Sequence, residues 1–516
     1  MKGEATACDG EGAGRRALIT LGVILGVTMT TLDTTVVNVA LPHMQASLSA
    51  SPEQITWTIT SYMVATAVMT PLSGWLAKRF GIKNLLLVAI SGFTAVSILC
   101  GAAASLAEMV AFRLLQGAMS AFIGPLAQVV LLDINPPRRH ARAMALFSMA
   151  MMVAPIIGPV VGGLLTDELS WRWCFYINLP AGIATVLLIW IFMPGAETKA
   201  PRFDFLGFCS LGVAVAAFQL MLDRGTTQDW FASPEICAEA IVAAMAFWVY
   251  GTHTLTAAHP LFPPALIRDR NFVMSVVCGM LVYALFMTNL VLLPMMMQGV
   301  MGYTVIHTGL LSAPRGVAIV AVIWAVGRLD AYVDRKVMIS IGLVTLACAF
   351  WEMGLFDLSM TDKEIVSATV LQGIGQGIVM VPLTTLGFAT IPANLRADAS
   401  SALGLLRGMA SSTGLASFEA LTAVNTQTMH ASLASLVRPD DPNFAAGLAA
   451  RLRPDTAAGA LALNDEITRQ ATMVAYVNDF RLLAGLALLC LPLVLMMRRP
   501  RRTLALVAAV EDTMHA

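Results

Sequence analysis

The sequence predicts an all-α integral membrane protein with fourteen transmembrane helices, grouped six, two and six, and with both termini in the cytoplasm. Three observations predict it. Of the 516 residues, 57% are hydrophobic and only 12% are charged, whereas soluble chains carry about 25% charged residues. Nearly uncharged runs long enough to cross a bilayer recur from one end of the chain to the other. The basic residues between those runs alternate, dense on one side and sparse on the other.

The first span is expected at 17–41. It follows Arg15 and Arg16 and so has the outline of a signal peptide. It runs on to Pro42 past one acid, Asp33, without a small-residue cleavage site, so it reads as a retained span. Spans at 55–77, 84–106, 108–132, 143–166 and 173–194 complete a six-helix set. A pair at 204–223 and 236–256 follows, bounded by the polar segments GAETKAPRFD (195–204) and HPLFPPALIRDR (259–270), and reads as an inserted hairpin. Spans at 272–298, 306–327, 337–357, 364–388, 399–423 and 480–497 make the second six. The expected organisation is a cytoplasmic tail 1–16, a six-helix bundle 17–195, the hairpin segment 196–267, a second bundle 268–498, and a cytoplasmic tail 499–516. The second bundle includes a long outside loop, 424–479, whose part 456–475 has a helical pattern.

The loop charges orient this array. One side holds Lys78, Arg79 and Lys83, then Arg138, Arg139 and Arg142, then Arg328, Arg335 and Lys336, then Arg498, Arg499, Arg501 and Arg502. The short loops of the other side hold only Arg172, Arg224 and Lys363. Positive residues stay inside, so the first side is cytoplasmic. A missed helix would invert every later loop, so the regular alternation supports fourteen.

The fifth span is physically odd. It contains Pro155, Gly158, Pro159, Gly162 and Gly163 in the stretch APIIGPVVGGLL. Each proline removes a backbone donor and clashes with the preceding turn. In a bilayer such a helix is tolerated when neighbours re-satisfy the freed groups. Gly158 and Gly162, four apart, offer a flat packing face. A kinked helix with a flat face suggests a sealing or moving part, and the plain alternative is a packing seam.

An internal repeat is visible. LLQGAMSAFIGPL (114–126) in the fourth span and VLQGIGQGIVMVPL (370–383) in the twelfth both pair Leu-Gln-Gly with a later Pro-Leu. Each lies on the fourth helix of its six-helix set. Two such halves in parallel relation, with a site between them at mid-membrane, form a transporter plan.

A charge inside the bilayer is costly and marks function by default. Asp33 lies about nine residues before the outer end of the first span, roughly 13 Å deep at 1.5 Å per residue. Arg113 lies at comparable depth in the fourth span, so the two can pair. A paired Asp stays ionised and an unpaired one in apolar surroundings takes up a proton, so switching between these states would couple protons to conformation; the plain alternatives are a permanently paired structural Asp33 and an Arg113 that snorkels to the outer interface. In the second half, Arg315 and Arg407 fall near mid-membrane. They either line the cavity and attract an anionic group, or are neutralised by Glu352 and Glu419. Asn38, Gln116, Arg315, Glu352, Gln372 and Arg407 are the candidates for the substrate cavity. The methionine-rich LLPMMMQGVMGY (292–303) is ordinary packing or, as methionine also suits, an adaptable binding surface.

Other functions are disfavoured. The net charge is zero, so no field points to nucleic acid. The eight cysteines and seven histidines are scattered without metal-ligand spacing. No cofactor, metal site or nucleophile–base pair is expected, and the chain does not read as an enzyme.

These residues together resemble the major facilitator superfamily, in its fourteen-helix drug:proton antiporter branch (EmrB/QacA type). LDTTVVNVALP (32–42) is similar to that branch's first-helix signature, and RLLQG (113–117) to its fourth-helix motif. APIIGPVVGGLL resembles the antiporter motif of the fifth helix, and WRWCFYINLPAG (171–182) the start of the sixth. PLFPPALIRDRNF (260–272) resembles the linker before the second half. GWLAKRFGIK (74–83), with Gly74, Lys78, Arg79 and Gly81, is similar to the loop between helices 2 and 3. One departure stands out: the usual acid of that loop is Lys78 here, so an acidic latch to the opposite half cannot work through it. The resemblance implies proton-driven export of small hydrophobic compounds by alternating access, with Asp33 and Arg113 coupling protons, across a bacterial cytoplasmic (inner) membrane. In double-membrane bacteria it also implies a periplasmic adaptor and an outer-membrane channel as partners. The competing expectation is a dedicated exporter of one endogenous metabolite, such as a siderophore or an aromatic acid.

Overall fold

A computed structural model describes residues 2–136, 139–195, 202–329, 333–437 and 456–497. The expected tail 499–516, the middle of the expected outside loop (438–455) and the start of the hairpin segment (196–201) lie outside the described residues. Within them, every regular element is a helix. The first half comprises α1 (Lys2–Ser47), α2 (Pro52–Met69), α3 (Ser73–Phe80), α4 (Ile82–Ala102), α5 (Leu106–Asp133), α6 (His140–Glu168), α7 (Trp173–Tyr176) and α8 (Asn178–Phe192). The inserted pair is α9 (Phe205–Gly225) and α10 (Pro234–Thr256). The short α11 (Pro264–Arg268) leads into α12 (Arg270–Gly299), α13 (Val305–Leu329), α14 (Arg335–Met353), α15 (Asp362–Phe388), α16 (Arg396–Leu436) and α17 (Ala457–Met496).

Twelve helical segments among the described residues are long and apolar enough to cross a membrane. Two of the expected spans fall below that mark. One is α2 with α3, rich in Thr and broken by a 3-10 turn at Thr70–Leu72. The other is α16, whose apolar residues are diluted by Ser, Thr and Gly. Residues 424–436 and 457–479, expected as part of a loop, continue α16 and α17 as helix. These two helices of 41 and 40 residues are each about 60 Å long at 1.5 Å per residue, roughly twice a hydrocarbon core of ~30 Å, and they pack along each other.

Large apolar side chains face outward on several helices, among them Val88, Val160, Trp190, Trp248 and Val317, each at least 59% exposed. In water that surface would drive association; in lipid it is the solvent-facing surface. Basic side chains tie down one end of the bundle, called here the near end, where α1 starts. Arg15 Nε donates to the Phe192 carbonyl at 2.7 Å, and Lys336 Nζ donates to Leu495 O at 3.2 Å. Both satisfy carbonyls in a last helical turn, where cations are favoured. The opposite end is the far end.

The inserted pair sits on the side of the bundle. α9 packs on α2 of the first half and α16 of the second. Gln219 Nε2 donates to Ser412 Oγ at 2.8 Å, and Thr60 donates to Asp223. α10 packs on α9 and buries only Ile236 and Ala243. Phe247 and Tyr250 are partly buried against α9, and the ring of Phe247 meets that of Phe218 at 6.2 Å.

Candidate functional site

In the first half, Asp33 and Arg113 meet. Arg113 Nη1 donates to Asp33 Oδ2 at 2.7 Å, and both side chains are within 1% of full burial. Asp33 Oδ1 accepts from Asn178 Nδ2 at 2.6 Å and from Gln116 Nε2 at 3.1 Å. Arg113 is held in turn: Nε donates to Thr58 O at 3.1 Å and Nη1 to Gln116 Oε1 at 2.6 Å. Its guanidinium lies 4.1 Å from the Tyr62 ring centroid. Ser97 Oγ accepts from the Asn178 amide at 2.9 Å and donates a hydrogen bond to Phe175 O at 2.9 Å. A buried ion pair is tolerated only when its remaining valences are met, and here they are. Asn178, Ser97, Thr58 and Tyr62 were not singled out in the sequence. Asn178 stands inside the quoted WRWCFYINLPAG stretch; the hydroxyls carry no sequence signal. Asn38 is exposed.

The kinked α6 lies against α1. A Cβ on Gly158 would collide with the Thr35 hydroxyl, and one on Gly162 would come within 3.1 Å of Val36 O. Thr35 Oγ1 also reaches Ala154 O at 3.5 Å, beside the backbone loosened by Pro155 and Pro159. This flat face therefore joins helices of the first half. The approach between halves is made on α13: a Cβ on Gly316 would lie 2.7 Å from Ile156 of α6, and one on Gly327 3.1 Å from Ala145. Gly163 has open space around its missing Cβ.

Close contacts between the halves gather toward the near end. Lys78 forms an ion pair with Asp398, which is 3% exposed, in the first turn of α16. Burial pushes the Asp398 carboxyl up from its ordinary value, and the Lys78 ammonium acts in the other direction. An ion pair thus joins the halves here, with the base on the first half and the acid on the second. Gly74 lets α3 approach Asp398, since a Cβ there would strike the carboxylate. Gly81, at φ 82°, turns the chain from α3 into α4, and Arg79 is exposed beside Trp75. Arg396 Nη1 pairs with Asp133 Oδ1 at 2.7 Å. Ser400 Oγ donates to Gln128 Oε1 at 2.7 Å, and Ser401 Oγ reaches Pro71 O at 3.4 Å.

The second half is different. Arg315 is 3% exposed, and Arg407 is half-buried. Neither has an acidic partner among the described residues, so the expected alternative of neutralisation by Glu352 and Glu419 does not hold. Glu352 is exposed at the far end, lining a cavity of ≈ 300 Å³ with Asp357 and Glu364, and Glu419 is half-buried on α16. Arg407 Nη2 donates to Thr384 Oγ1 at 3.1 Å. Gln372 Oε1 accepts from Asn289 Nδ2 at 2.8 Å and faces Arg315 Nη1 at 3.5 Å. The methionine cluster is divided: Met296 and Met297 are fully buried against α14 and α17 residues such as Phe350 and Phe480, whereas Met295 is exposed.

Comparison with known proteins follows this geometry. The profile described as Major Facilitator Superfamily matches residues 23–415. The chain is 34% identical over 493 residues to the multidrug export protein EmrB of Haemophilus influenzae, covering 94% of this chain and 96% of that one. It is 32% identical over 488 residues to the fatty acid resistance protein FarB of Neisseria gonorrhoeae, covering 94% and 96%. The crystal structure of the human organic anion transporter MFSD10 superposes with a TM-score of 0.61 at 13% identity, covering 94% of this chain and 99% of that one; that likeness concerns the fold alone.

Proposed function

This chain belongs to the Major Facilitator Superfamily and is a multi-pass membrane transporter rather than an enzyme, and on that premise we propose that it exports hydrophobic compounds in exchange for protons. The observation that carries the reading is the buried Asp33–Arg113 pair. Protonating Asp33 removes the charge-assisted bonds that Arg113, Gln116 and Asn178 make to it, each worth about 1.5–3 kcal/mol. Arg113 is then a buried cation without its partner, a state that costs several kcal/mol. Proton arrival therefore supplies a reason for the first half to rearrange. One charge crossing 100 mV is worth ~2.3 kcal/mol, which is of the size needed.

The same reading gives the helices their places. α2 with α3, and α16, join the twelve apolar segments to make fourteen spans with both termini in the cytoplasm, in a bacterial inner membrane. The near end is then cytoplasmic, and its contacts close the cytoplasmic side while the far side faces out. Alternating access opens the near end by releasing Lys78 from Asp398 and α6 from α13. The far-side extensions of α16 and α17 are the surface on which a periplasmic adaptor, and through it an outer-membrane channel, would dock. The relatives' names put multidrug compounds and fatty acids among the substrates to be tried.

The test is transport by purified protein in liposomes under an imposed proton gradient, read with ethidium. Dye is expected to move against the proton flow in the native protein and to stop in Asp33→Asn. Full gradient-driven movement in that variant would sink the assignment of Asp33.

A further inference from the structure

The two halves carry the same Leu-Gln-Gly signature, and each glutamine meets the first helix of its half, Gln116 as donor and Gln372 as acceptor. Gln116 reaches Asp33 on α1, the helix that opens the first half. Gln372 reaches Asn289 on α12, the helix that opens the second. Asn289 thus stands where the first half has its acid, and it is neutral. Arg315 of α13 faces the same Gln372 oxygen. The second cluster therefore holds a cation without a carboxylate, and that cation comes from α13, since Thr369 stands where the first half has Arg113.

Its valences are correspondingly open. Arg315 Nε, Gln372 Nε2, Asn289 Oδ1 and both amide atoms of Gln376, one turn along α15, are buried without a hydrogen-bond partner among the described residues. Gln372 and Gln376 are at most 1% exposed. Buried polar groups are ordinarily satisfied, and an ionisable residue inside the membrane is costly to keep. Three of these open atoms are N–H donors, and one belongs to a guanidinium, the group whose fork suits a carboxylate. The cluster lies close to the seam between the halves. Gly316, next to Arg315, is where α13 meets Ile156 of the first half. Gly373 lets α15 close on Arg315, since a Cβ there would lie 2.6 Å from its carbonyl. Arg407 is not part of this cluster: its partner Thr384 lies twelve residues from Gln372 along α15, roughly 18 Å at 1.5 Å per residue.

We propose that Arg315, Gln372 and Gln376 form an anion-binding subsite in the second half, which takes the carboxylate of an amphipathic organic acid. The ligand supplies the charge that Asn289 does not. The inference rests on the export reading for the ligand's route, and on the cluster alone for its binding.

The experiment is equilibrium binding to the full-length protein in nanodiscs, with no gradient, using dodecanoate and dodecylammonium, which share a chain length and differ in headgroup. The native protein is expected to favour the acid. Arg315→Gln should lower the acid-to-amine affinity ratio on the order of tenfold or more, the scale of a lost charge-assisted bond, and Arg315→Lys should retain most of it. Asn289→Asp should lower the ratio similarly, because it places a carboxylate beside Arg315 as Asp33 lies beside Arg113. An unchanged ratio in a folded Arg315→Gln, or an equal loss of both ligands, would overturn the subsite. If Arg315→Gln does not fold, Asn289→Asp and Gln376→Leu carry the test, and an unchanged ratio in both overturns it. A native protein that shows the ratio but moves neither compound nor ethidium in liposomes breaks the export reading and leaves the subsite standing. One that pumps ethidium while Arg315→Gln keeps the ratio breaks the subsite alone.

Discussion

In the first half the buried arginine touches a carboxylate; in the second it touches an amide. Arg113 and Asp33 cancel, and a ring of Gln116, Asn178, Ser97 and Thr58 meets their remaining valences. Arg315 meets Gln372 at 3.5 Å, a length at which little bond strength remains. One half is a closed circuit and the other an open one. The difference teaches where each half's energy can come from: on the proposed export reading a proton opens the first circuit, and in the proposed subsite an anion closes the second.

The largest expected effect is in the closed circuit. Asp33→Ala leaves Arg113 buried and unpaired, and breaking a buried pair on one side costs about 3–5 kcal/mol. Arg113→Met strands Asp33 at a similar cost. Both should lower the melting temperature in detergent clearly, and combining the two changes should recover part of the loss. Additive losses in the double variant would mean that the two side chains do not act as a pair.

The latch between the halves comes next. Lys78 is about one-third exposed while Asp398 is buried, so the pair is worth less than the interior one. Lys78→Ala leaves a buried carboxylate without its partner, at about 1–3 kcal/mol. The expected reading is greater reactivity of cysteines placed at the near end, as the halves part there. Exchanging the charges, Lys78→Asp with Asp398→Lys, should restore the seal. A seal that is unaffected by Lys78→Ala would remove this pair from gating.

The open circuit predicts the opposite sign. Replacing a buried charge that has no partner by an apolar side chain of similar volume is neutral or stabilising. Arg315→Met should therefore raise the melting temperature, by a free energy of about 1 kcal/mol, where Arg113→Met lowers it. If both methionine variants destabilise alike, the two halves do not differ in the way their charges suggest.

The sequence made the first circuit legible and, in the second, singled out Arg315 and Gln372 but not Asn289 or Gln376. Asp33 and Arg113 stand out because a charge in an apolar run is expensive, and their depths can be compared by counting residues. Asn289 does not stand out, since a neutral amide among Leu, Met and Phe interrupts no pattern. The helical fold and its transporter family were legible from hydropathy and motifs. The partner of Lys78 was not: Asp398 is 320 residues away, and only packing of α3 on α16 brings it close. The extensions of α16 and α17 were half visible, as a helical pattern at 456–475 but with the matching strip at 424–436 read as loop. The sequence spacing of Gly158 and Gly162 announced a flat face, yet it could not say which helix the face meets.

The glycines of α6 offer the finest version of the comparison, because neighbours in one motif should respond differently. Gly158→Ala pushes a methyl into Thr35 of α1, and overpacking of this kind costs about 1–3 kcal/mol. Gly162→Ala meets Val36 O at 3.1 Å, a backbone atom that gives less readily than a side chain but starts farther off, so its cost should be smaller. Gly163→Ala meets open space, and a helical Gly exchanged for Ala gains about 0.5–1 kcal/mol. Thermal unfolding of the three variants should therefore rank Gly163→Ala at or above the native protein, then Gly162→Ala, then Gly158→Ala. The informative departure is a Gly163→Ala that unfolds normally but no longer transports. Its open space would then be the clearance for a second arrangement of α6, and the motif would belong to the moving surface as well as to the seam with α1.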